Sequence, residues 1–448
     1  MNDTIVAIST SLGVGAISII RLSGKDSIEI VNSCFKGKDL RKVDTHTINY
    51  GYIIYNNEII DEVLVSVMRA PKTYTTEDIV EINCHGGITS TNKILEIMQL
   101  EGCRLAEPGE FTKRAFLNGR IDLLESESIM DMINSKSEEA RKLSMNGITG
   151  HISNKIESFR EELKKVLSQI EVNIDYPEYY DIEVITEEKI KNIIKKLKEK
   201  LIDLVKDSEN GITIKNGIKT VIVGRPNVGK SSILNKMLKE EKAIVTDIEG
   251  TTRDTVEGEI LLDGILLNII DTAGIRKTED KVEKIGVEKS LSKIEEADLV
   301  ILVINGSEEL TETDKELLEE TKDKTRIIVI NKNDLENKVN INDNNIVYTN
   351  TLTDEGILTL VEKIKELFNL EQIKTKDYTY LSNTRQITLA KQALKNLLDA
   401  EKGIEENLPV DMVEIDLKNC FENLGEIIGK NYSNEIVDNL FKNFCVGK

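Results

Sequence analysis

Histidine and cysteine are scarce in this chain, and their spacing argues against the common structural metal sites. The 448 residues include three histidines and five cysteines, which do not follow the spacing of a zinc ligand set. Cys84 and His85 are adjacent, but this pair is more typical of a strand end than of a metal site. The cysteines are scattered and odd in number, as in proteins of a reducing compartment.

The sequence also lacks a signal peptide, a long apolar segment, an internal repeat and a low-complexity tail. The first two absences predict a soluble cytoplasmic protein with no membrane contact. Acidic residues outnumber basic ones by 79 to 59, which gives a formal net charge of −20. This charge argues against bulk wrapping of nucleic acid, although a local basic patch or a partner protein could still bring in RNA.

The chain is long enough for roughly two or three domains, and its hydrophobic content of 40% allows a sizeable core. Short β-like runs, glycine turns and one helical stretch near 90–100 predict an α+β domain at 1–118. A helical pattern covers 119–215, an alternating strand and helix pattern covers 216–372, and helices return at 373–448. The expected fold class is therefore multidomain, α/β plus all-α, with one helical bundle interrupted by an inserted α/β domain.

Apolar residues at steps of three and four predict long amphipathic helices in the helical segments. One stripe comprises Ile152, Ile156, Phe159, Leu163, Val166 and Ile170. A second comprises Ile190, Ile193, Leu197, Leu201 and Leu204. The C-terminal segment has shorter stripes at Leu394, Leu397 and Leu398 and at Val413, Leu417, Cys420 and Leu424. Such stripes are core far more often than ligand sites. Gly211 and Gly217 are expected to mark the entry into the α/β domain.

The most informative motif runs from Gly224 to Ser231, Gly-Arg-Pro-Asn-Val-Gly-Lys-Ser, directly after the apolar run Val221–Val223. It matches the phosphate-binding loop, and a helix is predicted to leave it. Its glycines let backbone N–H groups turn around phosphate oxygens, Lys230 supplies charge, and the Ser231 hydroxyl can bind Mg²⁺. A chance glycine-rich turn is the weaker alternative, because every fixed position and both flanks match. The predicted contacts here are Asn227, Val228, Gly229, Lys230, Ser231 and Ser232.

Further motifs follow in the order found in GTPases. Asn331-Lys332-Asn333-Asp334 comes after an apolar strand, and the Asp334 carboxylate can accept from two guanine donors that adenine lacks. Asp271-Thr272-Ala273-Gly274 ends another predicted strand and can serve the Mg²⁺ shell and the γ-phosphate. Between the phosphate loop and Asp271 lies a switch segment, Gly250-Thr251-Thr252-Arg253-Asp254. Each tetrapeptide alone is weak, but together they predict a GTPase.

The water-orienting glutamine of Ras-like proteins is missing, because Ile275 stands at its position. Arg253 and Arg276 lie nearby, but either could be a surface residue, so neither is assigned as an arginine finger. The catalytic group and the charge compensator must therefore come from elsewhere. Asn227 could coordinate a monovalent cation through its side-chain carbonyl or could be a tolerant turn residue, and the sequence weighs both equally.

Outside the nucleotide motifs, five blocks are distinctive: 3–7, 75–81, 85–87, 108–119 and 444–448. Through these blocks the whole chain resembles the MnmE (TrmE) family of tRNA-modifying GTPases. The resemblance implies a homodimer that works in a heterotetramer with the flavoprotein MnmG. Together they would add an aminomethyl or carboxymethylaminomethyl group at C5 of the wobble uridine of certain tRNAs.

The resemblance also assigns a folate site to the N-terminal domain, which would drive dimerisation. The ligand would be 5,10-methylene- or 5-formyl-tetrahydrofolate, the source of the one-carbon unit. Its binding residues would be Arg21, Glu81, Arg120 and Lys448. A carboxylate can pair with the pterin N–H edge, and cations can meet the glutamyl carboxylates. Cys445 would be essential for the modification, as nucleophile or as positioning group.

Potassium would replace the arginine finger, because the resemblance implies GTPase domains that dimerise around this ion. Its ligands would be Asn227, Thr246, Ile248 and Thr251, and Mg²⁺ would be held by Ser231 and Thr252. Glu283 would orient the attacking water, with Lys230 as the other catalytic residue of hydrolysis. The switch contacts to GTP would be Thr246, Asp247, Ile248, Glu249, Gly250, Thr251 and Thr252.

The chain departs from the family at Ser11-Leu12-Gly13-Val14-Gly15, at Asn350-Thr351-Leu352 in the last guanine-contacting loop, and at Arg120, where lysine is common. Two rival functions remain open at this point. One is a ribosome-assembly GTPase switch, which also carries the phosphate-loop sequence. The other is a folate enzyme with a vestigial GTPase domain. Folate binding to residues 1–118 discriminates among them.

Overall fold

The computed structural model of this chain describes residues 3–175, 187–240, 256–262, 264–270, 293–370 and 378–448. These residues form two compact units. The first unit takes its residues from 1–130, 153–184 and 414–448, and the second from 131–152 and 185–413. Because the first unit combines the two ends of the chain, residues far apart in sequence can lie side by side in it.

The first unit contains a seven-stranded sheet. Its strands are β1 (Ile5–Ile8), β2 (Ile17–Ser23), β3 (Phe35–Lys36), β4 (Thr47–Tyr55), β5 (Glu58–Met68), β6 (Ile79–His85) and β7 (Arg104–Leu105). The spatial order is β3-β4-β5-β6-β2-β1-β7, and all neighbours are antiparallel except β1 and β7. Burial alternates along β5, where Val63, Val65 and Val67 are buried, because one face packs on the core.

Short helices accompany this sheet. They are α1 (Ser27–Cys34), α2 (Ile88–Leu100) and α3 (Glu110–Leu117). The helical stretch expected near 90–100 corresponds to α2. Helices α1 and α3 were not expected, because eight residues are too short to show a repeated apolar stripe.

Longer helices follow along the chain. They are α4 (Leu123–Asn134), α5 (Glu138–Ile148), α6 (His151–Asp175) and α7 (Glu187–Asn216). The stripe predicted for α6 is buried throughout. In α7 the buried stripe includes Ile194 instead of Ile193, because steps of four and three from Ile190 reach position 194. The role expected for Gly211 was wrong: α7 continues through it, and Gly217, at φ +73°, follows the helix end.

The second unit contains a six-stranded sheet. Its strands are β8 (Ile218–Val223), β9 (Val256–Leu262), β10 (Ile265–Ile270), β11 (Leu299–Asn305), β12 (Arg326–Asn331) and β13 (Ile346–Thr349). The order is β13-β12-β11-β8-β10-β9, and all pairs are parallel except β9 with β10. Residues of β11 alternate between two cores, with Ile301 in one and Val300 in the other, so both faces of the sheet are covered.

The remaining helices are α8 (Lys230–Glu240), α9 (Glu312–Glu320), α10 (Ile357–Leu367), α11 (Thr384–Glu405), α12 (Val410–Ile427) and α13 (Asn434–Phe441). Helices α7 and α11 run antiparallel, since Lys191 pairs with Glu405 and Lys391 pairs with Glu209. In the C-terminal segment Leu397 is buried as predicted, whereas Leu398 is exposed. The expected fold class is confirmed, while the domain limits at 118, 215 and 372 stay predictions. Within the part of the chain that the structure describes, no helix is long and apolar enough to cross a membrane.

Candidate functional site

The phosphate-binding loop joins the carboxyl end of β8 to the first residue of α8, Lys230. Two glycines in it have positive φ, Gly224 at +146° and Gly229 at +107°. A Cβ on Gly224 would lie 2.3 Å from the Val303 carbonyl oxygen, and one on Gly229 would lie 2.1 Å from Asn331 Nδ2. Only glycine satisfies both the backbone conformation and the close approach, so the loop keeps its backbone free to surround phosphate oxygens.

Lys230 lies within the curve of this loop. Its Nζ donates to the carbonyl oxygens of Gly224 at 2.7 Å and Arg225 at 2.8 Å. Burial lowers the pKa of Lys230. The ammonium is therefore placed at the centre of the loop by backbone acceptors, which is where a phosphate-binding lysine must act.

Asn331 connects the phosphate loop to the guanine motif. Its side chain is almost fully buried, at 1% exposure. Nδ2 donates to the Val228 carbonyl oxygen at 2.8 Å, and Oδ1 accepts from Thr349 Oγ1 at 3.1 Å. The Asn333 backbone N–H also donates to the Thr349 carbonyl oxygen, at 3.1 Å. These bonds fix the guanine motif against both neighbouring loops.

The base-facing part of the site is exposed, in contrast to Asn331. Asp334 is exposed, and Lys332 has φ +64°, which turns the chain sharply after β12. The loop after β13 closes through a backbone bond from Asn350 to the Glu355 carbonyl oxygen, and Asn350 Oδ1 accepts from the Leu352 backbone N–H. An ion pair between Lys236 on α8 and Asp354 fixes this loop further. The structure thus places the loop expected to contact guanine beside the motif that carries Asp334.

Asn227 is exposed at the tip of the phosphate loop, with φ +60°. That conformation suits asparagine in a turn, and its exposure leaves the side chain open to a cation, so both interpretations stand. Ser231 and Ser232 lie in the first turn of α8. The other nucleotide and metal residues lie outside the described residues: Thr246, Asp247, Ile248, Glu249, Gly250, Thr251, Thr252, Asp271, Thr272, Ala273, Gly274 and Glu283.

A second cluster, here called the tail site, lies in the first unit and comprises Arg21, Tyr74, Glu81, Arg120 and the tail 444–448. Arg21 on β2 is directly opposite Glu81 on β6, and its Nε donates to Glu81 Oε1 at 2.8 Å. Its Nη1 reaches the Gly447 carbonyl oxygen at 3.4 Å. The structure thus joins two residues of the predicted folate set directly and brings the C-terminal tail to them.

The tail is held by its backbone. Ser9 Oγ donates to the Gly447 carbonyl oxygen at 3.0 Å, and the Gly109 N–H donates to the Cys445 carbonyl oxygen at 3.2 Å. Gly447 has φ +91°, and a Cβ there would lie 2.3 Å from the Ile8 carbonyl oxygen. The tail therefore needs a glycine at this position to lie against β1.

Two functional groups of the tail differ in their surroundings. The Cys445 side chain is exposed, which leaves its thiol accessible to a reactant. Lys448 is only partly exposed, and burial followed by the positive charge of Arg21 lowers its pKa. An anionic ligand would stabilise the charged form of Lys448, which burial and the neighbouring cation disfavour.

Arg120 contacts the tail site through the ring of Tyr74, a residue that the sequence did not indicate. Arg120 Cζ lies 4.6 Å from the centroid of the Tyr74 ring, and Arg21 Cζ lies 5.9 Å from the same centroid. The planar guanidinium of Arg120 can stack on this ring, whereas a lysine at this position would present a point charge. Neither Tyr74 nor Ser9 belongs to a recognisable motif, so sequence reasoning did not find them.

Comparison with known proteins finds similarity along the whole chain. The sequence model described as GTP-binding protein TrmE N-terminus matches residues 4–120, and that of the MnmE helical domain matches residues 123–445. The chain is 50% identical over 455 residues to the tRNA modification GTPase MnmE of Ligilactobacillus salivarius, covering 100% of this chain and 98% of that protein. The chain belongs to the MnmE family of tRNA modification GTPases.

The MnmE of Streptococcus thermophilus is equally similar, with 50% identity over 449 residues, 100% of this chain and 98% of that protein. A solved G domain of the T. maritima FeoB iron transporter aligns with 34% of this chain and 98% of its own length. The identity is 29% and the TM-score is 0.25. Family membership confirms the resemblance seen in the sequence blocks.

Proposed function

We propose that this chain hydrolyses GTP and uses the cycle to drive modification of C5 of the wobble uridine in certain tRNAs. It would act in the cytoplasm as a homodimer, in a heterotetramer with the flavoprotein MnmG. The proposal rests on two sites that occur together in one chain of the MnmE family. One is a phosphate loop that is hydrogen-bonded to a guanine motif, and the other is a cationic tail site. The first fits GTP, and the second fits an anionic carbon donor.

In the nucleotide site, Lys230 and the N-terminus of α8 would compensate the charge of the phosphates, and Asp334 would select guanine. The residues fit Mg²⁺ and K⁺, because Ser231 contributes a hydroxyl in the first turn of α8 and Asn227 an exposed amide oxygen at the loop tip. Thr252 would complete the Mg²⁺ ligands, and Thr246, Ile248 and Thr251 those of K⁺. A bound potassium ion would supply the positive charge that an arginine finger supplies elsewhere.

Glu283 would orient the attacking water, since the position of the usual glutamine is Ile275. Glu283→Ala should then lower kcat and leave nucleotide affinity unchanged, the pattern of an interaction made chiefly in the transition state. A parallel loss of binding would mark Glu283 as a structural residue.

The tail site fits a tetrahydrofolate, either the 5,10-methylene or the 5-formyl form. Arg21, Arg120 and Lys448 give an excess of positive charge for the glutamyl carboxylates, and Glu81 can accept from the pterin N–H edge. Arg21 already holds Glu81 at 2.8 Å, so the carboxylate is oriented before any ligand binds. The exposed thiol of Cys445 would lie beside the one-carbon unit.

Modified nucleosides in cells test the whole proposal. A strain whose only copy carries Cys445→Ser, and another with Lys230→Ala, are assayed for the modified uridine by mass spectrometry, beside GTPase rates of the purified proteins. We expect loss of the nucleoside in both strains, with GTP turnover near normal for Cys445→Ser and absent for Lys230→Ala.

Each other outcome has a definite meaning. Normal nucleoside levels in the Cys445→Ser strain would remove Cys445 from the reaction. Normal levels in both strains, together with a defect in ribosome assembly, would favour the ribosome-assembly switch. A collapsed GTPase rate for Cys445→Ser would assign the tail to the fold and not to the chemistry.

A further inference from the structure

One aromatic ring is shared by two like charges at the tail site. Arg120 Cζ and Arg21 Cζ lie 4.6 Å and 5.9 Å from the centroid of Tyr74. Guanidinium groups within about 6 Å of an aromatic centroid are attracted to its negative face. Two cations held close together repel each other, and a common ring offsets part of that repulsion.

Tyr74 itself is fixed by the fold and not by the arginines. Its hydroxyl lies 2.8 Å from Thr112 Oγ1 on α3. The next residue, Thr75, is fully buried; its hydroxyl lies 2.7 Å from Ser23 Oγ, and its carbonyl oxygen accepts from Asn118 Nδ2 at 2.7 Å. The position of the ring is therefore set by its own hydroxyl contact and by the bonds that fix the next residue.

The two arginines depend on this ring to different degrees. Arg21 is also held by Glu81 at 2.8 Å and lies 5.8 Å from the ring centroid of Phe111. Arg120 is an exposed residue that follows Gly119, a turn glycine with φ +72°. Its side chain is exposed and has the shorter distance to Tyr74, so the ring has more influence on Arg120 than on Arg21.

We propose that Tyr74 is a positioning residue that orients the Arg120 guanidinium toward the anionic part of the ligand at the tail site. The inference rests on the proposed binding of a tetrahydrofolate there. A guanidinium whose plane is fixed on a ring loses less conformational freedom when it binds a carboxylate in two-point fashion. Tyr74 thus contributes to affinity without contacting the carboxylate.

Calorimetric titration of the full-length protein with 5-formyl-tetrahydrofolate tests this role. Tyr74→Leu removes the ring, and we expect Kd to rise about tenfold, equivalent to about 1.4 kcal/mol. Tyr74→Phe keeps the ring and loses only the hydroxyl contact, so its Kd should stay within about twofold of the wild type. Tyr348→Leu, which removes an exposed tyrosine of β13, is the matched control and should bind like the wild type.

A double-mutant cycle separates positioning from general damage to the fold. In an Arg120→Ala background, Tyr74→Leu should weaken binding by less than about twofold, because its effect passes through the missing guanidinium. Where Tyr74→Leu fails to fold, as judged by thermal unfolding, Tyr74→Met replaces it. Full additivity of the two changes, equal weakening by Tyr74→Leu and Tyr74→Phe, or unchanged binding by Tyr74→Leu would each overturn the proposal.

The arginine Nε–H resonances give a readout that needs no folate. In arginine-labelled protein the Arg120 signal should be displaced by the ring current of Tyr74 and should lose that displacement in Tyr74→Leu. Should the wild type bind no folate while this displacement is present, the proposed folate function fails and the hold of Tyr74 on Arg120 stands. An Arg120 signal identical in the wild type and Tyr74→Leu would refute the positioning role whatever the ligand.

Discussion

Asn331 Nδ2 donates to the Val228 carbonyl oxygen over 2.8 Å, and this single bond joins the guanine motif to the phosphate loop. The same side chain accepts from Thr349, so one buried amide links the phosphate loop to the ends of β12 and β13. The asparagine of this motif therefore holds loops together, while the base is expected to be read by Asp334.

Asn331→Ala should weaken GTP binding and the fold together. The change leaves the Val228 carbonyl and the Thr349 hydroxyl without their partner in a buried place, which costs roughly 1–3 kcal/mol. Fluorescent nucleotide titration and thermal unfolding measure the two effects. Asn333→Ala is the control, since its structural bond to Thr349 comes from the backbone and survives the change. Equal behaviour of the two variants would show that the link does not matter.

Asp334→Asn should shift base preference from guanine toward xanthine. An amide has one acceptor oxygen and cannot accept from both guanine donors. The binding free energy of GTP should therefore weaken by roughly 1–3 kcal/mol or more. Competition between GTP and xanthosine triphosphate gives the preference directly. Glu336→Gln, a similarly exposed change two residues on, should bind GTP like the wild type. GTP affinity retained by Asp334→Asn would reject the assignment of the base reader.

Replacing potassium by sodium should slow GTP turnover, on the order of tenfold or more, because the proposed ion would substitute for an arginine finger. Asn227→Ala should remove the difference between the two salts by removing a proposed ligand. Asn235→Ala, on the exposed side of α8, should keep it. Steady-state hydrolysis at equal ionic strength measures both. Identical wild-type rates in the two salts would end the cation hypothesis.

Gly447→Ala should detach the tail and abolish the proposed folate binding, with GTP turnover preserved. An added Cβ would lie 2.3 Å from the Ile8 carbonyl oxygen, at a φ of +91°, and such a conformation costs a non-glycine residue about 1 kcal/mol or more even without the clash. Val446→Ala trims an exposed neighbour and should behave like the wild type. Folate titration beside GTPase assays decides, and full affinity in Gly447→Ala would show that docking of the tail is dispensable.

The ion pair between His85 and Asp61 should make stability fall as the pH rises above neutrality. His85 Nδ1 lies 2.6 Å from Asp61 Oδ1, and this hydrogen bond, followed by the charge of Asp61, raises the pKa of His85 above 6.5. A raised pKa means that the stabilisation is complete below the unfolded value of about 6.5 and is lost as the pH passes the folded value.

The test compares His85→Gln with the wild type by thermal unfolding from about pH 6 to about pH 9. The difference in Tm should be largest at the acidic end and should shrink as the pH rises. His151→Gln is the control, because the His151 ring contacts the neutral Thr149 hydroxyl. A difference that stays constant over this range would show that the charge of His85 contributes nothing.

Local patterns in the sequence predicted much of this molecule. The stripe from Ile152 to Ile170 predicted the buried face of α6 because helical periodicity depends only on short spacing. The phosphate loop could be predicted because its strand, glycines and helix are contiguous. The pattern failed at Gly211, which lies inside α7. A Cβ there would lie 2.4 Å from the Leu381 carbonyl oxygen, so the glycine permits a close approach that has no local signature in the sequence.

The tail site shows what only the tertiary structure decided. Arg21 and Gly447 are 426 positions apart, yet they meet because the C-terminal tail packs along β1 and β2. The family resemblance could name Arg21, Glu81, Arg120 and Lys448, but it could not reveal Tyr74 as the ring shared by two of them. Sequence by itself determined the long amphipathic helices and the nucleotide motifs, since these depend on neighbouring residues. The contacts of Asn331, Tyr74 and Gly447 depend on which surfaces pack together. Such long-range packing is determined by the whole chain at once and has no local pattern in the sequence.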